Sequence, residues 1–363
     1  MHLLVLGTGG LVGLYVMARL MRRLLSAWFV EPYKAPLFWV DYRSGFVRRG
    51  FPGEVLSWFG RPTLATMTTT AVLIAALAAA GWVVLARELA HRSEHSSTVL
   101  VLILASPFGL PLVVRDVGRY DALAVAAFVV VAAVVRHCPG RPMLVIGVAT
   151  VGFAVATACE EFVVLYAVPL ALTAATRLDP GRRRSTLTVS GLMLAPSLAI
   201  ALAGLLVPPN RTMLASSVAM AREAGVQPSD QPGTDAATLL GASAERQFGI
   251  FTEYQPAWLV VLLAGGAALA ISTGWSVWAL LGRPRPSLAK ATALWVAGSA
   301  AALSLVGVDF LRWWGLALFA FLVCLAAHPS TALPGRALPK WLLVALCVAT
   351  VVWQLAPIGP PPR

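Results

Sequence analysis

The densest group of chemically active side chains lies in the ten-residue segment from Asp41 to Gly50. It contains one carboxylate, two glycines and three arginines, Arg43, Arg48 and Arg49. Guanidinium groups match phosphate oxygens in a two-pronged geometry, and glycines let backbone N–H groups approach an anion. The segment therefore suits a lipid-linked phosphate held beside a general base. The alternative is an interfacial loop whose arginines meet phospholipid headgroups.

A second charged group lies in the short stretch from Arg115 to Asp121. Asp116 and Asp121 are five residues apart, with Arg119 between them. Charges so close to apolar segments need internal partners or a watery cavity. The two carboxylates could bind a divalent cation such as Mg²⁺ or Mn²⁺, or pair with the arginines as scaffold or to orient a phosphate. We favour the second interpretation over a metal site.

A third group is the adjacent pair Glu160 and Glu161, at the boundary of an apolar segment. Two carboxylates that repel each other raise the pKa of one of them, which suits proton transfer. Consecutive helical positions point about 100° apart, so only one acid would face a cavity. The second acid could instead cap the dipole of the following helix. Near the C-terminus, Arg312 either pairs with Asp309 or binds a phosphate.

Other catalytic signatures are missing from the sequence. It contains no glycine-rich phosphate loop, no GxSxG and no HExxH. The four cysteines, Cys138, Cys159, Cys324 and Cys347, show no CxxC spacing. We therefore predict neither a disulfide framework nor a zinc site.

The chain that must position these groups is strongly apolar. Of its 363 residues, 58% are hydrophobic and 12% are charged, and the mean hydropathy is +0.78. A soluble globular domain of ordinary composition does not have these values. Because backbone groups in lipid must pair internally, we predict an all-α polytopic membrane protein that forms a single transmembrane domain over residues 1–363.

Apolar runs long enough to cross a hydrocarbon core of about 30 Å recur along the whole chain. The runs at 143–158 and 162–176 have almost no loop between them, so one of them could be re-entrant or broken. In total the runs predict about eleven transmembrane helices, near 3–20, 64–86, 97–114, 120–136, 143–158, 162–176, 184–207, 257–281, 288–307, 311–327 and 341–355.

The acidic residues are distributed unevenly between the two sides of the membrane that these spans define. Thirteen of the sixteen lie on one side. Acidic residues contribute little to membrane orientation, so this bias indicates chemistry or transport on that side. Arginine and lysine dominate most of the loops on the other side, which predicts that this side, with the N-terminus, is cytoplasmic. Basic residues at membrane boundaries predict contact with lipids and no nucleic-acid partner.

Two loops on the acid-rich side are long. The first, residues 21–63, alternates basic and aromatic residues and predicts one or two helices lying in the membrane interface. The second, residues 208–256, is the most hydrophilic part of the chain. It is interpreted either as a partly helical lid or as a disordered tether.

At these residues the chain resembles a known group of enzymes. A first helix, an interfacial loop carrying Asp41, and many helices with acids and arginines on one extracytoplasmic face resemble the GT-C superfamily of polyprenyl-phosphate-sugar-dependent glycosyltransferases. The Asp41–Gly50 segment, with Asp116–Asp121 and the Glu160-Glu161 pair, is also similar to mostly uncharacterised membrane proteins of the bacterial envelope. The resemblance covers most of the chain by topology and only these motifs by sequence.

The GT-C resemblance implies roles for individual residues. Asp41 takes the place of the catalytic acid of the first loop, and Glu160, Glu161 and Asp116 are further catalytic candidates. Many GT-C members carry adjacent acids in this loop, whereas Asp41 stands alone, so a divalent cation, Mg²⁺ or Mn²⁺, is left open. The phosphate-binding arginines of the superfamily correspond to Arg48, Arg49, Arg119 or Arg312. Arg43 and Arg115 are further candidates for binding the phosphate of the lipid-linked donor because of their local charge clusters.

The leading prediction is therefore an inverting glycosyltransferase in the inner (plasma) membrane of a bacterium. It would move a hexose or pentose from a polyprenyl-phosphate donor to an envelope glycan, lipid or protein acceptor on the extracytoplasmic face. One alternative is a transporter or flippase for a lipid-linked or anionic solute, which predicts charge spread through the membrane depth. Another is a non-catalytic scaffold in an envelope-assembly complex.

Overall fold

The fold is known from a computed structural model. It describes residues 2–26, 29–32, 34–43, 49–179, 183–207, 211–226, 261–282, 286–306, 310–328 and 335–355. Within these ranges every regular element is helical and no strand occurs, in agreement with the predicted all-α class.

The helices follow one another with short connections through most of the described chain. A 3₁₀ turn, Ala35–Trp39, precedes α2, and a π-helical turn, Val261–Gly265, leads directly into α11. The α-helices are α1 His2–Leu25, α2 Phe51–Ser57, α3 Leu64–Ala90, α4 Ser96–Leu104, α5 Leu110–Arg115, α6 Ala122–His137, α7 Pro142–Cys159, α8 Val163–Leu178, α9 Arg183–Leu206, α10 Arg211–Glu223, α11 Gly266–Leu280, α12 Pro286–Val306, α13 Phe310–Ala327 and α14 Lys340–Leu355.

Several of these helices are suited to crossing a membrane. Among the described residues, five are long and apolar enough: His2–Leu25, Leu64–Ala90, Pro142–Cys159, Arg184–Leu206 and Leu263–Leu280. Four shorter helices, α6, α8, α13 and α14, are also apolar. The protein is thus a multi-pass membrane protein, while the count of eleven spans stays a prediction.

The segment 97–114 does not form the single helix that its hydropathy predicts. It is divided into α4 and α5, with a turn at residues 105–109. Pro107 has no N–H to donate to a helix. A Cβ on Gly109 would lie 2.4 Å from the carbonyl oxygen of Ile103, so only glycine fits this turn. The prediction of one continuous span was wrong here because it weighed hydropathy above these two residues.

Helix α13 lies at the centre of the bundle. It packs against α3, α6, α8, α11 and α12, and every residue from Arg312 to Ala327 is buried. A helix that is apolar on all sides is stable only inside a protein or a membrane. Arg312, in the first turn, is the one charged residue of this helix, and it is therefore buried among tightly packed side chains.

A smaller hydrophobic cluster forms a cap at one end of the bundle. It joins the 3₁₀ turn to α10 and to the start of α3, and the Ser217 hydroxyl donates to the Trp39 carbonyl oxygen at 3.1 Å. One or two interfacial helices were predicted in the first loop, and the described part of this loop contains the 3₁₀ turn and α2. Phe38 and Trp39 are buried in the cap, however, whereas Trp58 and Phe59 are exposed, so only part of the aromatic set is available to the membrane interface.

The second long loop is described in part. Residues 211–226 contain α10, which packs on the 3₁₀ turn. The rest of the predicted 208–256 loop lies outside the described residues. The lid and the tether interpretations both stay predictions.

Candidate functional site

The ends of three helices and one residue of the first loop bring five charged side chains together at one end of the bundle. Asp121 immediately precedes α6, Glu160 and Glu161 immediately follow α7, and Arg312 lies in the first turn of α13. Arg49 comes from the turn before α2. We call these five residues the charged cluster.

Glu160 is at the centre of the charged cluster. Arg312 donates a hydrogen bond through Nη2 to Glu160 Oε2 at 2.8 Å, and Arg49 Nη2 lies 2.6 Å from Glu160 Oε1. Arg312 Nε also lies 3.0 Å from Asp121 Oδ2. The side chains of Arg312 and Glu160 are each only 4% exposed. Arg312 therefore bridges two buried carboxylates that come from different helices.

Arg49 binds the second acid of the pair with a two-pronged contact. Its Nε and Nη2 atoms donate to the two carboxylate oxygens of Glu161 at 3.1 and 3.2 Å. The backbone of Arg49 has φ = 62°, a left-handed conformation that residues other than glycine seldom adopt. Such a conformation costs about 1–3 kcal/mol and persists only where surrounding contacts enforce it. Here the enforcing contacts are those with Glu160 and Glu161.

The electrostatics of the charged cluster make Glu160 a weaker acid than an ordinary carboxyl. This residue and Arg49 both lie outside the membrane-spanning helices. Burial raises the pKa of Glu160 to about 7, because the opposing charges of Arg49 and Arg312 offset that effect only in part, and the nearby Glu161 and Asp121 add to it. For Arg49, burial lowers the pKa, but the charges of Glu160 and Glu161 outweigh burial and raise it above its ordinary value. Glu160 is thus the side chain of the cluster best suited to exchange a proton near neutral pH.

A narrow cleft opens beside the charged cluster. Its polar end is formed by Asp116, Arg119, Asp121 and Arg312. Its remaining walls are apolar and come from α3, α5, α6, α13 and the turn before α5. They include Trp82, Phe108, Leu112, Val125, Leu316 and Phe319. The space measures about 50 Å³, which is room for one or two water molecules. The charged end and the apolar walls of the cleft match the two parts of an amphipathic ligand. The walls must move apart to admit such a ligand.

Several buried polar atoms near the charged cluster have no hydrogen-bond partner in the described part of the chain. They are Tyr120 Oη, Thr157 Oγ1 and Trp313 Nε1. The guanidinium of Arg312 lies over the Trp313 ring, 4.5 Å from the ring centre. The Tyr166 hydroxyl donates to the backbone carbonyl oxygen of Trp313 at 3.1 Å. Buried groups without partners are uncommon in native proteins. These three can donate to hydroxyl groups or water that enter the site.

Asp116 belongs to a separate chain of ion pairs. The buried Lys34 Nζ lies 3.5 Å from Asp116 Oδ1 and 2.9 Å from Glu31 Oε2, and Arg23 lies 3.0 Å from the other Glu31 oxygen. The charges of Lys34 and Arg23 lower the pKa of Glu31 against the opposing effect of its burial. Arg115 Nη2 is 3.9 Å from Asp116 Oδ2. Sequence reasoning did not select Lys34, although its spacing of three residues from Glu31 was a usable signal.

The metal interpretation finds no support in these contacts. Asp116 and Asp121, the predicted cation ligands, each face a basic side chain, Lys34 and Arg312 respectively. In the ranges that the structure describes, no group of three His, Cys, Asp or Glu side chains is arranged to hold a metal ion. Both aspartates thus pair with basic side chains, and the scaffold, phosphate-orienting and metal roles stay predictions.

Asp41 pairs with Arg43, its near neighbour in the chain. Its Oδ2 atom lies 2.5 Å from Arg43 Nη2, and its Oδ1 atom accepts the Arg43 backbone N–H at 3.1 Å. The hydrogen bond with Asp41 raises the pKa of Arg43. Asp41 is buried, whereas the Arg43 side chain is 60% exposed. A Cβ on Gly53 would lie 2.0 Å from the Val40 carbonyl oxygen, so α2 packs tightly beside this acid.

The predicted site residues thus fall into three neighbouring groups. Glu160, Glu161, Arg49, Asp121 and Arg312 meet in the charged cluster, and Arg119 lies close enough for its charge to act on Arg49. Asp116 and Arg115 join Lys34, while Asp41 and Arg43 pair with each other. Arg48 and Asp309 lie outside the described residues.

The comparison with known families adds one finding. A family model described as "Uncharacterised membrane protein Rv1490" matches residues 9–218. The chain belongs to this family. The Rv1490 match includes Arg49, Asp121, Glu160 and Glu161 and ends before the helix that carries Arg312. It supports the membrane-protein assignment and adds nothing on GT-C chemistry. No curated protein and no solved structure matches the chain.

Proposed function

We propose that this protein transfers a sugar from a polyprenyl-phosphate donor to an envelope glycan, lipid or protein on the extracytoplasmic face of the membrane. The observation that carries the proposal is the position of Glu160. It is a buried carboxyl with a pKa of about 7, held by two arginines next to a cleft that is charged at one end and apolar along its walls.

The cleft accounts for the two halves of the donor. Arg119 and Arg312 at its polar end suit a phosphate, because guanidinium groups bind phosphate oxygens in pairs. The apolar walls from α3, α6 and α13 suit the prenyl chain. Because the present space is about 50 Å³, donor binding requires the side chains around Arg312 to rearrange. Phosphate oxygens would then replace Glu160 or Asp121 as partners of that arginine.

Glu160 is the better candidate for the general base. In the proposed step, the acceptor hydroxyl gives its proton to the Glu160 carboxylate while its oxygen bonds to the anomeric carbon. The bond from that carbon to the phosphate oxygen breaks, and prenyl phosphate leaves with inversion of configuration. The arginines stabilise the charge that develops on the leaving group. Glu160 contacts Arg312, which lines the cleft, whereas Asp41 pairs with Arg43, which does not. We assign Asp41 to positioning the acceptor.

The test is sugar transfer by purified protein in lipid nanodiscs, using a panel of synthetic prenyl-phosphate sugars with labelled sugar groups. Loss of a general base lowers the rate about 10²–10⁴-fold. We expect a loss in that range for Glu160→Gln and a smaller one for the matched carboxyl-to-amide variant Asp41→Asn. Thermal unfolding of each variant controls for folding.

Other outcomes assign the site differently. Full loss in Asp41→Asn with activity kept in Glu160→Gln would make Asp41 the base. If no donor supports turnover but prenyl phosphate binds in an Arg312-dependent manner, the glycosyltransferase proposal fails. The transporter and scaffold alternatives would then take its place.

A further inference from the structure

A second cavity lies on the opposite face of α13 from the charged cleft. The cleft is lined by Gly315, Leu316 and Phe319, and the second cavity by a different set of α13 residues, Trp314, Ala317, Leu318 and Phe321. At about 100° per residue, the two sets point in opposite directions. The second cavity measures about 460 Å³ and its lining is almost entirely apolar.

The shape of this cavity follows from how three helices pack. Helices α11 and α12 both pack along α13 but make little contact with each other in the described residues. The gap between them is open on its outer side, where Ile271 and Leu294 are 54% and 76% exposed. In a membrane protein this outer side faces lipid. The cavity is therefore an apolar groove accessible from within the bilayer.

A groove of this kind is filled by hydrocarbon. An apolar space without polar partners does not hold water, and an unfilled one deprives its walls of dispersion contacts. The component of a membrane that matches a long apolar groove between helices is a lipid chain. The volume of the groove lies within the usual range for sites that bind small molecules.

One charged residue marks the end of the groove. Among the residues that line it, Lys290 alone is charged, and it is exposed in the first turns of α12. From Lys290, α12 rises about 24 Å to Val306 before α13 and Arg312 begin. Lys290 therefore lies toward the membrane face opposite the charged cluster. A lysine at that depth attracts anionic headgroups.

We propose that this groove binds one anionic phospholipid from the leaflet opposite the charged cluster. Its phosphate meets Lys290, and one acyl chain lies between α11, α12 and α13. The site is separate from the proposed glycosyltransferase site and does not depend on it. Because α13 forms a wall of both, the bound lipid supports the helix that carries Arg312.

The test is photocrosslinking of full-length protein in phosphatidylcholine nanodiscs. One sample contains a trace of phosphatidylglycerol with a photoreactive acyl chain, and a matched sample contains the corresponding phosphatidylcholine. Peptide mass spectrometry then locates the adducts. We expect adducts on α11 and α12 near Ile271 and Leu294. They should be about fivefold more abundant with phosphatidylglycerol than with phosphatidylcholine, because one lysine attracts an anionic headgroup by about that factor.

Two pairs of variants separate headgroup from chain binding. Lys290→Gln should abolish the preference for phosphatidylglycerol, whereas Lys340→Gln, an exposed lysine at the start of α14, should keep it. Ala293→Leu with Ala297→Leu fills the groove and should remove adducts from both lipids. Ala291→Leu, on the exposed face of the same helix, should leave them in place. Adducts elsewhere on the protein, or a preference unchanged in Lys290→Gln, would overturn the proposal.

Discussion

A largely buried arginine lies at each end of α13. The one at the first end belongs to the helix and the one at the last end comes from the connection after α3, and their partners differ in kind. At the first end, Arg312 binds the carboxylates of Glu160 and Asp121. At the last turn, Arg92 donates to the backbone carbonyl oxygens of Leu325, Ala326 and His328. Carbonyl groups at a helix C-terminus have no partner within the helix, and a cation there is favourable. A carbonyl partner cannot gain a proton, whereas a carboxylate partner can.

This difference indicates a structural role for the contacts at the last turn of α13 and a role in chemistry for those at its first turn. The contacts of Arg92 close the helix, and Glu88 holds the guanidinium in place with an oxygen 3.0 Å from it. The contacts of Arg312 instead place a titratable acid beside a cleft. Buried charges with side-chain partners can be exchanged for ligand charges, which is the property that the proposed function uses.

The largest expected effect comes from Arg312→Met. Removing one partner of a buried ion pair costs about 3–5 kcal/mol of unfolding free energy, because the remaining charge is left uncompensated. The measurement is denaturant or thermal unfolding in detergent. Since Glu160 can take up a proton, we expect the loss to be smaller at pH 5 than at pH 8. An equal loss at both pH values would contradict the account of Arg312 as the partner of a titrating acid.

The second effect is a pH dependence of stability. The folded-state pKa of Glu160 is raised from about 4.5 to about 7, so folding favours its protonated form. Stability from this group is complete below about pH 4.5 and is lost as the pH rises to about 7. Unfolding measured across this window should show stability falling with pH. The slope should flatten in Glu160→Gln and persist in Asp41→Asn, and an unchanged slope in both would refute the assignment.

A smaller effect is expected at the other end of α13. Arg92→Met leaves backbone carbonyl groups at the end of the helix without this partner, at a cost of about 1–3 kcal/mol. The carbonyl groups do not titrate, whereas Glu88, which also contacts Arg92, can. We therefore expect any change of this cost between pH 5 and pH 8 to be smaller than for Arg312→Met. A pH dependence as large as that of Arg312→Met would remove the contrast between the two ends.

The smallest effect is expected for the ion pair outside both ends. The Arg43 side chain is 60% exposed, and exposed pairs contribute about 0–1 kcal/mol. Arg43→Gln should therefore change the unfolding free energy by less than about 1 kcal/mol. A greater loss would show that Asp41 depends on this arginine, and would return Asp41 to consideration as the central acid.

Much of the fold could be predicted from hydropathy. Apolar runs located most of the helices to within a few residues, because length and composition alone make a segment compatible with a membrane. The break between α4 and α5 was missed because Pro107 and Gly109 occur within a continuous apolar stretch. The burial of Phe38 and Trp39 was missed because the partner that covers them, α10, is more than 170 residues away.

The members of the site could be predicted, but their pairing could not. Glu160, Glu161, Arg49 and Arg312 were each selected by charge next to an apolar segment. Local spacing suggested that acids and arginines pair with near neighbours, whereas Arg49 binds Glu161 across 112 positions and Arg312 binds Glu160 across 152. Such pairs arise from helix packing, which one sequence does not encode in any local pattern.

The dependence of two distant carboxylates on one arginine has an evolutionary consequence. In any relative that shares this arrangement, a substitution that removes the cation at the position of Arg312 would take a partner from the acids at the positions of Glu160 and Asp121, and Glu160 would keep Arg49. These three positions should therefore change together across related genomes, with the basic residue retained wherever both acids are.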